Sequence, residues 1–466
     1  MDSGRAAVAR GETIVGYLLL VAAFAVHAAI LLQHPVVGAA ENGDFWRVTR
    51  PAGIVPLDRL EDVSHKCVSQ HYGIAPWRLT DAFSSAALIA AASKPLRLGA
   101  PVMDIRQVGA TYLVLFAGVF ALALWAGVAP LCCALLAWAA LDVSYSLYFN
   151  SFFVDPAALL GFLGIALGLY SWNAPALDAT GPRAQRVALV LAALIAGISK
   201  QLYILTPLLV AAVVVAWPRR DWLAHLRGAA GTIVALLIAG GLGIAHFTWG
   251  SGPRFPEANR HHAVFHGLVL VADDPQAVLA ELDVVPPAMP LSGRNYFKLS
   301  EAERSASHDA LAGLSHTRLV LAYLRAPRRA ARALVAAVGP LRLTTTASDP
   351  NFSDRSRPPR QYRGWWQMAR LRGEHPILAA LLLFAGVAAL LGAAVQRTWR
   401  GAHAALTFLL LNAALVVVAS LLGDGQFGLS RHVTAARYCL DLALALILYG
   451  GWSALRRRLD PVRRAA

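Results

Sequence analysis

Ten apolar windows, at 13–32, 108–126, 130–147, 156–172, 187–198, 202–217, 229–249, 377–395, 404–422 and 433–452, recur along this 466-residue chain and leave it one class of fold. Windows of about 17–25 apolar residues read as bilayer-spanning helices, because in hydrocarbon a segment must satisfy its own backbone polar groups. Composition agrees: 57% of the residues are hydrophobic and the mean hydropathy is +0.53, too apolar for a soluble protein of this length. The expected fold is all-α and polytopic, with about ten transmembrane helices. The window at 187–198 is short and depends on reading "SKQLY" (199–203) as a tight polar turn. A helix merged across it would hold Lys200 in mid-bilayer, where a charge is costly.

A net charge of +15 raises the question of nucleic acid. The arginines sit at window ends and in connecting loops, where membrane proteins keep them, and no helix-turn-helix, zinc or RNP pattern is present. No nucleic-acid partner is expected; membrane lipids are. Of the four cysteines, Cys132, Cys133 and Cys439 lie in apolar runs and Cys67 in a polar loop, with no disulfide framework or metal-ligand spacing.

The short loops set the orientation. One set holds "GPRAQR", "WPRRDWLAHLRG", "QRTWRG" and the tail "RRRLDPVRRAA"; the other holds only Lys200 and Arg431. By the positive-inside rule both termini are cytoplasmic. The first window is longer than a signal-peptide core and is read as a retained helix. One transmembrane domain is expected over 1–456, including long outer loops at 33–107 and 250–376, followed by a basic tail at 457–466. Each outer loop carries an interfacial helix: "DAFSSAALIAAASKPLRL" in the first, and in the second "HTRLVLAYLRAPRRAARALVAAVGPLRL", a basic amphipathic segment. Neither loop is expected to form a domain with its own core.

In this topology the unusual polar residues collect on the outer side. Glu41 and Asp44 follow the first window, Asp155 the third, Lys200 the fifth, and Asp424 and His432 the ninth, while Arg260, His261 and His262 open the second long loop. A carboxylate at a helix mouth reaches a substrate whose other end is buried in lipid. Glycosyl transfer from a phospholipid-type donor needs a base for the acceptor hydroxyl and cations for the departing phosphate. Asp44 with Arg47 or Arg50 supplies both within two helical turns, and Phe45 and Trp46 suit an interface or a sugar ring. Asp44 is the candidate base, Glu41 its assistant and Asp155 a second catalytic carboxylate that also suits a helix N-cap. Lys200, Arg260, His261, His262, Asp424 and His432 are candidate substrate ligands. On a helix, His261 and His262 point about 100° apart and cannot face one ligand together. Asp142 is an intramembrane carboxylate open to a site or a packing role, and Asn412 and Asp441 are read as packing groups. No motif requires a cofactor. A divalent cation, Mg or Mn, would need the two acidic outer turns to converge, and the metal ligands stay unknown.

Four stretches, "NGDFWRVTRPAG", "YFNSFFVDPAALL", "NRHHAVFHGLVLVADDPQAVLAELDV" and "GDGQFGLSRHVTAARYCLDL", together with the two outer loops, resemble the GT-C class of integral-membrane glycosyltransferases. More narrowly they resemble the WsfD-like hexose transferases of bacterial surface-glycan biosynthesis. That resemblance implies a polyprenyl-phosphate-linked sugar donor, a glycan or lipid-linked acceptor, and chemistry on the outer face of the bacterial cytoplasmic membrane. A glycolipid flippase or transporter, or a glycan polymerase, is the alternative.

Overall fold

The computed structural model describes residues 2–40, 44–57, 68–77, 83–172, 181–217, 222–250, 254–284, 286–343, 351–352, 367–396, 398 and 400–459. All ten predicted windows fall on helices. Among the described residues six helices are long and apolar enough to cross a membrane, within α1 (Asp2–Leu32), α4 (Arg106–Trp125), α10 (Trp222–Gly250), α17 (Pro376–Val395), α18 (Gly401–Asp424) and α20 (Thr434–Leu459). Beside them, α5 (Pro130–Ala140) and α6 (Val143–Ser146) belong to one apolar stretch bent by 56°, the geometry of a broken span or a re-entrant loop. Asp142 explains the break. Its Oδ1 accepts from the backbone N–H of Ser144 at 2.9 Å and from its hydroxyl at 2.7 Å, so the carboxylate caps α6 through one oxygen, while Oδ2 is buried without a hydrogen-bond partner among the described residues. The remaining windows form the shorter helices α7 (Asp155–Ser171), α8 (Gly181–Gly197) and α9 (Thr206–Val215).

The chain divides into two compact units: Met1–His246, Thr344–Asn412 and Tyr438–Ala466 form the first, Phe247–Leu343 and Ala413–Arg437 the second. In the first, α1 packs along α4 and α5, and α7 along α8. The "SSAALIAAAS" segment does form a helix, α3 (Ser85–Ser93), but most of its residues are buried against α2 (Trp46–Ala52), α4 and α7, so it is a packed element of this unit. Short antiparallel strands complete the unit: β1 (Val37–Gly38) pairs with β5 (Asn351–Phe352), and β3 (His71–Ile74) lies between β2 (Ile54–Pro56) and β4 (Met103–Asp104). One end of α1 is tied down by polar contacts. Asn150 Nδ2 donates to Leu31 O at 2.8 Å and Val37 O at 2.7 Å, and Arg106 Nη1 donates to Leu32 O at 3.3 Å.

Asp441 and Asn412 are packing groups, as expected. Asp441, fully buried, takes a two-pronged contact from Arg372 (2.8 and 3.2 Å) and the Tyr145 hydroxyl at 2.5 Å. Asn412 accepts from Thr206 and donates to Cys439 Sγ at 3.4 Å. Cys132, Cys133 and Cys439 are free and buried, while Cys67 lies outside the described residues.

The second unit takes in much of the long loop that begins at 250, where Phe265, Leu268, Leu279, Leu282, Leu299, Leu311 and Leu319 are all buried. Its "ADDP" motif is a helix start, because Asp274 Oδ1 accepts from the backbone N–H groups of Gln276 and Ala277 at the head of α12 (Pro275–Glu281). The unit also contains α13 (Glu301–Leu311), opened by a Ser300–Glu303 capping box. The basic amphipathic segment is two helices, α14 (His316–Leu324) and α15 (Pro327–Arg342). Pro327 has no N–H to continue α14 and its φ suits a first helical position, so the chain restarts there. On α15 Val335 and Val338 are exposed, whereas Arg329 and Arg332 pair with Glu281 and Asp273.

Candidate active site

The first unit brings Asp44 and Asp155 into one neighbourhood through the aromatic residues beside them. Phe45 is buried, with its ring centroid 5.7 Å from Phe152 and 5.0 Å from Phe153, both edge-on; Tyr72 packs on Phe152 at 4.8 Å. Edge-to-face aromatic pairs of this kind add to simple burial. Phe45 directly follows Asp44, and Phe153 precedes Asp155 by two residues. Phe45 is thus core, while Trp46 stays 39% exposed with the Arg47 guanidinium 6.0 Å from its ring centre.

Asp44 lies just before α2 and is half-buried. Arg47 Nη2 is 3.5 Å from Asp44 Oδ1, so the candidate base and one candidate phosphate cation lie side by side. Arg50, in the last turn of α2, is exposed. Glu41 lies outside the described residues. At the foot of this neighbourhood, Asp155 opens α7, although the N-cap position falls to Val154. Asp155 Oδ1 accepts from Lys200 Nζ at 3.3 Å and from the Tyr203 hydroxyl at 2.8 Å. The side chains of Asp155 and Lys200 are only 5% and 12% exposed, so each supplies the partner the other needs away from water. Asp155 was legible as a candidate and Tyr203 was missed. Its signal was present in "SKQLY": a tyrosine three positions after the lysine, in a turn short enough to present both to one partner.

The second unit holds a separate polar cluster on α11 (Arg254–Ala263), the π-helical turn Val264–Leu268 and the "GDGQFGLSRH" segment. Asp424 sits between two imidazoles: His262 Nδ1 is 3.5 Å from its Oδ1 and His432 Nε2 is 3.2 Å from its Oδ2. The backbone N–H of Tyr296 points at His262 Nε2 (3.2 Å), making that nitrogen the acceptor and placing the ring proton on the Asp424 side. The His262 ring stacks on Phe427 at 3.9 Å. His261 turns away, as the 100° argument requires; its two nitrogens meet Ser307 Oγ and Arg294 O. Burial pushes the His261 imidazole down to about 4 despite the Arg294 carbonyl, so it is neutral at physiological pH. Burial also lowers His266 on the π turn. Arg260 donates to Leu311 O at 3.3 Å. Arg437, a nearly fully buried charge inside a predicted window, was passed over in the sequence although a lone intramembrane arginine is itself a signal. It donates to Leu343 O, Ser430 O and Thr434 Oγ1. Among the described residues no three His, Cys, Asp or Glu side chains are arranged to hold a metal ion.

Gly425 shows why the "GDG" sequence is needed. Its φ is +58°, and a Cβ there would stand 2.5 Å from Gly267 N and 2.6 Å from His262 O. Gly428 has φ +59°, but its nearest neighbour would be the His432 ring at 3.5 Å. Gly428→Ala is expected to cost only the left-handed penalty, about 1–2 kcal/mol. Gly425→Ala adds a backbone clash and is expected to cost clearly more, read as a larger drop in the thermal midpoint of the detergent-solubilised protein. Equal drops would remove the close approach from this account.

Among the described residues six helices long and apolar enough to cross a membrane, a further bent apolar pair and very little strand make this an all-α, multi-pass membrane protein. Within that class, the chain belongs to the family described as the YfdI N-terminal transmembrane domain, which matches residues 7–460. No curated protein and no solved structure matches it.

Proposed function

We propose that the protein is a GT-C-type glycosyltransferase that moves a hexose from a polyprenyl-phosphate-linked donor to a glycan or lipid-linked acceptor, on the outer side of a bacterial cytoplasmic membrane. The observation that carries this reading is that two carboxylates, each beside a cation, flank one packed cluster of Phe45, Phe152 and Phe153 in a membrane-helix unit. Membership of a transmembrane-domain family covering nearly the whole chain, and the four WsfD-like stretches, support it.

In this reading Asp44 takes the proton from the acceptor hydroxyl. The acceptor oxygen then attacks the anomeric carbon, the bond from that carbon to the phosphate oxygen breaks, and polyprenyl phosphate leaves with the electron pair. Arg47 and Arg50 hold the leaving phosphate. Lys200, a candidate substrate ligand by sequence, acts in this reading with Tyr203 to hold the Asp155 carboxylate in place. In the second unit, Asp424 with His262 and His432 is suited to sugar hydroxyls, and Arg260 to an anionic group. With both its nitrogens engaged, His261 supports that cluster without touching substrate.

The test uses the purified full chain in detergent with a panel of polyprenyl-phosphate hexoses and mass detection of products. Transfer of one hexose with release of polyprenyl phosphate, in the absence of any ion gradient, is the expected result. Translocation of intact donor in vesicles with no bond broken, or joining of preassembled glycan repeats, would overturn the assignment.

A further inference from the structure

A cavity of about 400 Å³ lies in the first unit, lined among others by Glu12 of α1, Pro130 and Leu131 at the start of α5, and Ser453, Arg456 and Arg457 of α20. From Glu12 to Leu31, where Asn150 anchors α1, the helix rises about 28 Å. The cavity is therefore at the opposite end of α1 from the Asp155 turn, and the reaction proposed above makes no use of it.

We infer that this cavity binds the phosphate-bearing group of an anionic molecule. Its walls supply cations and amide donors together. Arg456 is held by Glu12, and the Trp452 indole N–H also donates to Glu12, at 3.2 Å. The one carboxylate is thereby engaged, and Arg457 brings a further positive charge. The α5 helix opens into the cavity with no side chain capping it; Pro130 has no N–H and the Cys133 N–H bonds to Ala129 O, which leaves the N–H groups of Leu131 and Cys132 without an acceptor in the helix. On the α1 side Gly16 lets the two helices pack backbone to backbone at this end: a Cβ there would lie 2.5 Å from Leu131 N. Planar guanidinium forks and helix N-terminal amides are the groups that recognise phosphate.

The volume is far larger than one phosphate ion needs. Ile14 and Leu18 of α1 and Leu455 of α20, on neighbouring turns, are exposed. In a membrane-spanning unit these side chains meet acyl chains, so a lipid whose headgroup fills the cavity can lay its tails over them. An anionic phospholipid suits the site better than free phosphate, and the orientation proposed above would draw it from the cytoplasmic leaflet.

The experiment titrates delipidated, detergent-solubilised full chain with phosphatidylglycerol and counts bound lipid by native mass spectrometry. One tightly held phosphatidylglycerol is expected. Arg457→Gln, which leaves the Glu12–Arg456 pair intact, is expected to weaken it about fivefold, and adding Arg456→Gln about 25-fold. Ser453→Trp, which fills the cavity and keeps every charge, is expected to abolish it. Competition by millimolar inorganic phosphate would assign the site to small anions, and its absence to the lipid; both outcomes keep a phosphate site. Wild-type retention by both Arg457→Gln and Ser453→Trp, or equal retention of uncharged diacylglycerol, would overturn the inference.

Discussion

Asp44→Asn is expected to lower hexose transfer by roughly 10²- to 10⁴-fold, the usual cost of losing a general base. Expression and membrane insertion should be unchanged. Asparagine keeps the shape and the hydrogen bonds of aspartate but takes no proton at neutral pH. The ion pair itself is a weak one, because the contact to Arg47 is long (3.5 Å) and both side chains are about a quarter exposed, at 27% and 22%. Pairs of that kind contribute about 0–1 kcal/mol. Arg47→Lys is the companion measurement. It keeps the charge and loses the bidentate fork, so a phosphate-holding role predicts a raised KM for donor with a smaller change in kcat. The readout is turnover of one polyprenyl-phosphate hexose by protein shown to be folded from its thermal midpoint. Wild-type turnover by the Asp44→Asn protein would dismiss Asp44 as the base.

The sequence displays what depends on local pattern and hides what depends on distant partners. The apolar windows are local, and every one is a helix, including the short pieces on either side of "SKQLY". Lys200 could be recognised as needing a partner, since a charge between two apolar helices is costly alone. That the partner is Asp155, 45 residues away, is a tertiary fact. The same holds for Arg372 and Asp441, 69 residues apart. Period alone could not separate one amphipathic helix at 316–342 from two; Pro327 was the available signal, and it decided the matter. Nor could it show that the 250–343 region buries a core, because amphipathic helices present the same apolar stripe to a bilayer and to one another. That Asp142 caps a helix through one oxygen was not legible either, because it rests on where the helix breaks.

The Asp155–Lys200 pair should behave as a structural unit even though Asp155 is also a catalytic candidate. Asp155→Ala leaves the Lys200 ammonium, only 12% exposed, without its recorded anion and removes the acceptor of the Tyr203 hydroxyl. Breaking a buried pair in this way costs about 3–5 kcal/mol. Lys200→Met should cost less, because Asp155 keeps the Tyr203 hydroxyl and methionine fills much of the lysine's volume. The double variant Asp155→Ala, Lys200→Met removes both charges, so its loss should fall short of the sum of the two single losses by about 1–3 kcal/mol of coupling. Thermal unfolding of the four proteins in one detergent measures that coupling, and transfer activity is read in parallel. Stability recovered in the double variant with activity still absent separates the two roles of Asp155, since only the structural one can be repaired by deleting its partner. Activity returning with stability would reduce Asp155 to a packing group and leave Asp44 as the carboxylate on which the reaction depends. Additive losses, with no recovery in the double variant, would mean that Lys200 is not what holds Asp155, and the phosphate-binding reading of Lys200 would stand in its place.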